Sequence, residues 1–189
     1  MQRAVLHIII PALWFAWLLY WIVAAADVKP TRWRETVASR LFHRVPLLVA
    51  AVLLAPRRME PIMTARWLPE GRLFPVLGAI MVAVGLCFAV WARWHLGGNW
   101  SGTVTLKEDH SLIQTGPYKY VRHPIYTGHL LAFVGSAVAI GEWRGVLSVA
   151  LALLAFLLKI RVEEAGMRRT FADYQRYQRT TAALIPFVL

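Results

Sequence analysis

Apolar runs of about twenty residues alternate with short basic stretches along this chain, and the alternation predicts its elements. Residues 4–26 form the first run, with Trp14, Trp17, Tyr20 and Trp21 in its second half, where aromatic rings suit a membrane interface. Arg3 precedes the run, but the core of a signal peptide spans only about 7–15 residues, so the segment reads as a retained span. Between Lys29 and Arg44, Trp33, Val37 and Leu41 recur at every fourth position among Arg34, Glu35 and Arg40, the signature of an amphipathic surface helix. Residues 41–55 make a second, marginal span interrupted by Arg44 and Pro46. Pro56, Pro61, Pro69, Pro75 and Gly71 mark a loop over residues 56–75. A third span covers residues 73–96, where Gly78 and Gly85 share a face and permit close helix contact.

Residues 97–120 are the longest polar interval. Thr103 to Leu106 and Ser111 to Gln114 alternate around Lys107, Glu108, Asp109 and His110, which predicts a short hairpin. A fourth span runs from Pro124 to about Ile140, a tight turn covers Gly141 to Arg144, and a fifth span runs from Gly145 to about Arg161. Each is about 25 Å long at about 1.5 Å per residue. An antiparallel pair of that length returns the end of the fifth span to the level of Arg122 and His123, beside Lys159, Arg161, Glu163 and Glu164. Small residues stripe both helices, Gly128, Ala132 and Ser136 on one and Ser148, Ala152 and Ala155 on the other, as close packing of a hairpin requires. Met167, Phe171 and Tyr174 then repeat at helical spacing among Arg168, Arg169, Arg176 and Arg179, a second surface helix. The expected fold is an all-α integral membrane helical bundle of about five transmembrane helices, one domain over 1–189, with three spans in 1–96 and the chemistry in 97–189.

Composition sharpens this reading. Hydrophobic residues make up 58% of the chain, against about 45–50% in a soluble domain. The net charge of +11 is dispersed in loops, which favours anionic lipid over nucleic acid as a partner. With the carboxyl terminus inside, Lys and Arg divide 15 to 6 in favour of the cytoplasmic side, so the polar interval before Pro124 is expected to face the cytoplasm. Cys87 is the only cysteine; it allows no internal disulfide and no cysteine metal site, and reads as a small buried hydrophobe. His110 and His123 lie 13 apart with no metal-ligand motif. His7 reads as a neutral histidine near a span end. No glycine-rich nucleotide fingerprint is present.

The chemistry concentrates in residues 110–128. Arg122 and His123 directly precede Pro124, at a helix start that carries partial positive charge and prefers anions. Two cations there call for an anion. With Tyr118, Tyr126, His110 and the Glu163–Glu164 pair they would suit a zwitterionic cofactor; alternatively Arg122 pairs with Glu163 or Glu164 across the hairpin. The residues alone leave both open.

The run His110-Ser111-Leu112-Ile113 with Gly116 and Tyr118, followed by Arg122-His123-Pro124, Tyr126 and Gly128, and later by Arg161, Glu163-Glu164, Tyr174, Tyr177 and Pro186, resembles the signature of the isoprenylcysteine carboxyl methyltransferase family, whose members also resemble phospholipid N-methyltransferases. The resemblance covers about residues 95–188. It implies an integral membrane methyltransferase that binds S-adenosylmethionine in a loop region without a Rossmann fold. On the family pattern His110, Ser111, Leu112, Ile113, Tyr118, His123, Pro124, Tyr126 and Glu163 would hold the cofactor. Arg122, Glu163, Glu164 and either Lys159 or Arg161 would serve the reaction, and the residue four before Glu163 would face the acceptor. Lys159 stands at that position, where the eukaryotic members have arginine; a lysine cannot offer a bidentate fork to a carboxylate. The implied substrate is a lipophilic small molecule or a lipidated substrate, methylated on a carboxylate. N-methylation of an aminolipid is the alternative, and a non-catalytic membrane scaffold is the alternative of another class.

Overall fold

A computed structural model describes residues 4–25, 31–34, 36–55, 59–100, 105–107 and 112–186 of the chain. Helix α1 covers Val5–Ala24, its first turn in the wider π form, and strand β1 covers Thr31–Arg34. Helix α2 spans Val37–Leu54, the short α3 Pro61–Thr64, and α4 Leu73–Leu96. Strand β2 is Thr105–Lys107, and a 3-10 turn over Gly116–Lys119 leads into α5, Pro124–Ile140. Helix α6 covers Trp143–Thr170 and α7 Tyr174–Thr180.

Among the described residues four helices, α1, α2, α4 and α6, are long and apolar enough to cross a membrane. Helix α5, with 17 residues, sits at the short limit of about 17–25. Phe15, Ile22, Phe42, Leu48, Val84 and Trp94 are exposed on their outer faces, an arrangement that only a lipid surround makes favourable. The chain is an integral membrane protein.

Backbones approach most closely where glycine allows it. A Cβ on Gly85 would lie 2.5 Å from the Gly128 carbonyl oxygen, and one on Gly135 would lie 2.6 Å from that of Gly78, so α4 and α5 touch backbone to backbone. The stripes pair differently from the expected hairpin. Gly128, Ala132 and the neighbouring Gly135 face α4, while Ser148 on α6 donates to the Ala50 carbonyl of α2 at 2.7 Å. Small side chains serve whichever neighbour shares their face, and sequence adjacency of α5 and α6 does not choose it. Span one is pinned to this core by Trp14, whose Nε1 donates to Ser136 Oγ at 3.1 Å.

Four further expectations are corrected. The surface helix over residues 29–44 is replaced by extended backbone at Thr31–Arg34, and Val37 and Leu41 belong to α2. That helix begins where Thr36 caps it, its side chain accepting from Ser39 N–H at 3.2 Å. The local hairpin gives way to antiparallel pairing of β2 with β1 across two loops; the expected turn at 108–110, and Ser111 in its second strand, lie outside the described residues. Carboxyl-terminal to the spans, α6 continues to Thr170 and breaks before α7, whose Tyr174 and Tyr177 are buried in protein, not spread on a lipid surface. Cys87 is exposed on the outer face of α4, because hydrophobicity in a membrane span does not distinguish lipid-facing from core positions.

Candidate active site at the start of α5

The corner before α5 is built from three directions. Gly116 adopts a positive φ of 58° and packs over the His95 ring, 2.7 Å from where its Cβ would be, so the 3-10 turn tolerates no side chain there. His95 Nε2 lies 2.8 Å from Thr115 Oγ1. Tyr118 is buried with its hydroxyl donating to the Ala92 carbonyl at 3.4 Å, and Tyr177 donates to the Tyr118 carbonyl at 2.5 Å. The chain beyond α7 then runs alongside: Arg122 N–H and His123 N–H donate to the carbonyls of Ala182 and Ala183 at 2.9 and 3.0 Å, and Thr127 Oγ1 donates to that of Leu184 at 2.7 Å.

This frame brings the charged groups together. Arg122 Nε donates to Glu164 Oε1 at 2.7 Å, and its terminal nitrogen donates to the carbonyls of Thr181 and Gln178. Gln178 Nε2 donates to the other Glu164 oxygen at 2.5 Å. His123 bridges the two carboxylates, Nδ1 3.4 Å from Glu163 Oε2 and Nε2 3.3 Å from Glu164 Oε1. Tyr126 donates to Glu163 Oε1 at 2.6 Å. Lys159 Nζ lies 3.9 Å from the same oxygen and 5.2 Å from the centre of the Tyr126 ring. The rings of His123, Tyr126 and Phe156 stack in parallel, with centroids 5.5 and 5.1 Å apart.

Tyr118, Arg122, His123, Pro124, Tyr126, Lys159, Glu163 and Glu164 therefore share one end of the bundle. Ile113 packs on the neighbouring cluster of Ala92, Tyr118 and Ile125, and Leu112 beside it is half-buried. Arg161 is exposed, two residues from Lys159 and so about 200° away around the helix. His110 and Ser111 lie outside the described residues. Arg122 meets a carboxylate of the protein itself, that of Glu164, and His123 meets both Glu163 and Glu164, contacts that tie the corner into a structural lock.

Several participants had little sequence signal. Gln178 completes the lock from α7. Arg93, buried at the end of α4, donates to the carbonyls of Gly97 and Ala24 at 2.8 and 2.6 Å and stacks 4.6 Å over Trp100; an ionisable residue in the last turn of a span was the available clue. His129, one turn beyond Tyr126, contacts Trp17, Trp21 and Phe156.

Burial works against a charged His123, yet the hydrogen bonds and charges of Glu163 and Glu164 prevail and hold its pKa above the ordinary value. Burial pushes the Tyr177 hydroxyl up to about 12, with Arg122 opposing and Glu164 reinforcing, and raises Tyr118 and Tyr174 as well. The three phenols stay protonated, and those of Tyr118 and Tyr177 act as donors. Among the described residues no three His, Cys, Asp or Glu side chains form a metal-binding group.

Fold and site together define an integral membrane protein whose titratable side chains converge at one end of a helical bundle. Residues 73–174 match the phospholipid methyltransferase family. The chain belongs to that family and is a membrane methyltransferase. A probable protein-S-isoprenylcysteine O-methyltransferase of Oryza sativa subsp. indica is 28% identical over 184 residues, covering 89% of this chain and 96% of the rice protein. The protein-S-isoprenylcysteine O-methyltransferase of Schizosaccharomyces pombe is 33% identical over 96 residues, 49% of this chain and 41% of the yeast protein. The solved structure of a eukaryotic intramembrane Ras methyltransferase, isoprenylcysteine carboxyl methyltransferase, aligns over 80% of this chain and about half (52%) of its own length at 22% identity, with a TM-score of 0.44. That likeness is too loose to assign residue roles.

Proposed function

We propose that this protein transfers the methyl group of S-adenosylmethionine to a carboxylate on a lipophilic acceptor of the isoprenylcysteine type, at the cytoplasmic face of the membrane. The observation that carries the reading is the state of the two glutamates. Glu164 receives Arg122, His123, Gln178 and Arg168, and Glu163 is held by Tyr126, His123 and Lys159. Neither is an idle base. An amine acceptor must lose a proton, whereas a carboxylate is already anionic at neutral pH and needs none removed.

The donor set fits a cationic zwitterionic cofactor. Glu163, with 18% of its side chain accessible, can meet an ammonium or ribose hydroxyls. When bound, S-adenosylmethionine supplies an electrophilic methyl group on a positively charged sulfur. The protein's part is alignment. Tyr126 and His123 fix the Glu163 carboxylate; Lys159, on the side of α6 facing Tyr126, offers the ammonium that draws the acceptor carboxylate. The apolar walls exclude water. Holding the reacting atoms near 3–3.5 Å in line can contribute about 7–11 kcal/mol toward the barrier.

The test is a labelled-methyl assay with purified protein in lipid nanodiscs, offering an S-isoprenylcysteine carboxylate and an aminophospholipid in parallel. Base-labile methyl ester on the first is the expected product. Label appearing only as N-methyl lipid would refute the carboxylate reading, and no binding of S-adenosylhomocysteine would refute the cofactor.

A further inference from the structure

One turn beyond Tyr126, the interior of the bundle holds two polar atoms without partners. His129 Nε2 and Trp17 Nε1 are both buried with no hydrogen bond. Their rings touch edge to face, centroids 4.8 Å apart. Trp21 lies 5.5 Å and Phe156 6.2 Å from the His129 ring, and Phe156 stacks in turn on Tyr126. The ammonium of Lys159 lies 5.2 Å from the ring of Tyr126, one turn before His129. An unpaired polar atom in an apolar interior is costly, and two side by side mark a place where a complementary group belongs.

The donor inventory tells which group. Indole Nε1–H can only donate, and so can an ammonium; imidazole Nε2 can donate when it carries the ring proton. In that tautomer the three groups donate together and are complementary to an anionic oxygen group. Trp17 also lines an open cavity of about 500 Å³ between α1 and α4, walled by Tyr20, Leu86, Val90, Trp91 and Trp94. Trp17 therefore stands between an apolar channel facing lipid and the charged corner.

We propose that His129 and Trp17 are acceptor-reading residues that hydrogen-bond an anionic oxygen of the lipid acceptor's head beside Lys159, while its apolar chain lies along the α1–α4 cavity. This rests on the methyltransferase reading above and deepens it by assigning specificity. The shared chemistry is a lipid-borne oxyanion, which a thioether-linked carboxylate or a phospholipid phosphate could supply.

The test measures binding and turnover in nanodiscs with three probes: an S-isoprenylcysteine carboxylate, its neutral amide, and phosphatidic acid. Wild type is expected to bind at least one oxyanion about tenfold more tightly than the amide, and which one identifies the source. His129→Leu and Trp17→Phe should each lose most of that preference and raise the acceptor KM about tenfold, with S-adenosylhomocysteine affinity and melting temperature retained. His129→Gln, which keeps a donor near the Nε2 position, should recover the preference. Equal discrimination in wild type and both variants, or none in wild type, overturns the proposal. Loss of S-adenosylhomocysteine binding in wild type would instead strike the methyltransferase reading, so the two failures are distinguishable.

Discussion

Replacing Glu164 by glutamine separates the lock from the reacting groups. The glutamine side chain is nearly isosteric, so packing is kept while a charge is removed from a crowded position. In the protein Glu164 and Arg122 are 10% and 11% accessible and meet at 2.7 Å. The same carboxylate holds Gln178 from α7 and His123 from the start of α5. Arg168, at 3.8 Å, is 42% accessible, and its contribution is discounted for solvent screening. What remains is a buried pair with one partner removed, worth about 3–5 kcal/mol. For a chain of this size each kcal/mol corresponds to roughly 2–4 °C in Tm, so Glu164→Gln should melt at least about 6 °C below wild type in detergent. Because Arg122 also donates to the carbonyls of Gln178 and Thr181, the loss should include the carboxyl-terminal strap, visible as early proteolysis after Thr170. The double variant Arg122→Met, Glu164→Gln should regain part of the loss, since the uncompensated cation is gone. Glu163→Gln should do the reverse: methyl transfer falls at least a hundredfold while the melting temperature drops less than half as far. A Glu164→Gln protein melting within 2 °C of wild type would refute the lock.

Other outcomes follow from the same geometry. Because the His123 pKa is raised in the folded state, its ion pairs contribute fully below the unfolded value of about 6.5 and are lost as pH rises through the higher folded value. Melting temperature should therefore decline above neutral pH, and His123→Gln should flatten that decline. Gly85→Val places atoms against the Gly128 carbonyl and should cost about 1–3 kcal/mol with loss of monodispersity in detergent, whereas Gly166→Ala, with nothing within 4 Å, should be neutral or stabilising in the same melts. Lys159→Met should raise the acceptor KM at least tenfold, and Arg161→Met, on the opposite side of α6, should leave steady-state kinetics within twofold.

Burial changes the meaning of charge at this corner. Six ionisable or hydrogen-bonding side chains, Arg122, His123, Tyr126, Lys159, Glu163 and Gln178, converge with Glu164 at the end of an apolar bundle, where water cannot rescue an unpaired group. Each carboxylate is consequently over-supplied with donors.

The sequence by itself determined the parts that depend on local chemistry. Apolar run length fixed the spans, because the bilayer thickness sets a length that composition alone can meet. Pro124 and Gly141 marked the ends of α5, since one lacks a donor and the other adopts the left-handed conformation, with φ 68°. The short turn between α5 and α6 brought Glu163 and Glu164 level with Arg122 and His123. The tertiary structure decided which faces meet. Gly128 looks to α4 and Ser148 to α2, a choice that period and composition leave free, and β1 finds β2 across two loops where alternation suggested a local hairpin. It also set the surroundings of Arg122, because only packing of α7 and the strap beyond it places the Gln178 and Thr181 carbonyls around the guanidinium that meets Glu164. Trp17 and His129, 112 positions apart in the chain, carry no joint signal in sequence; their contact exists only because α1 leans on α5.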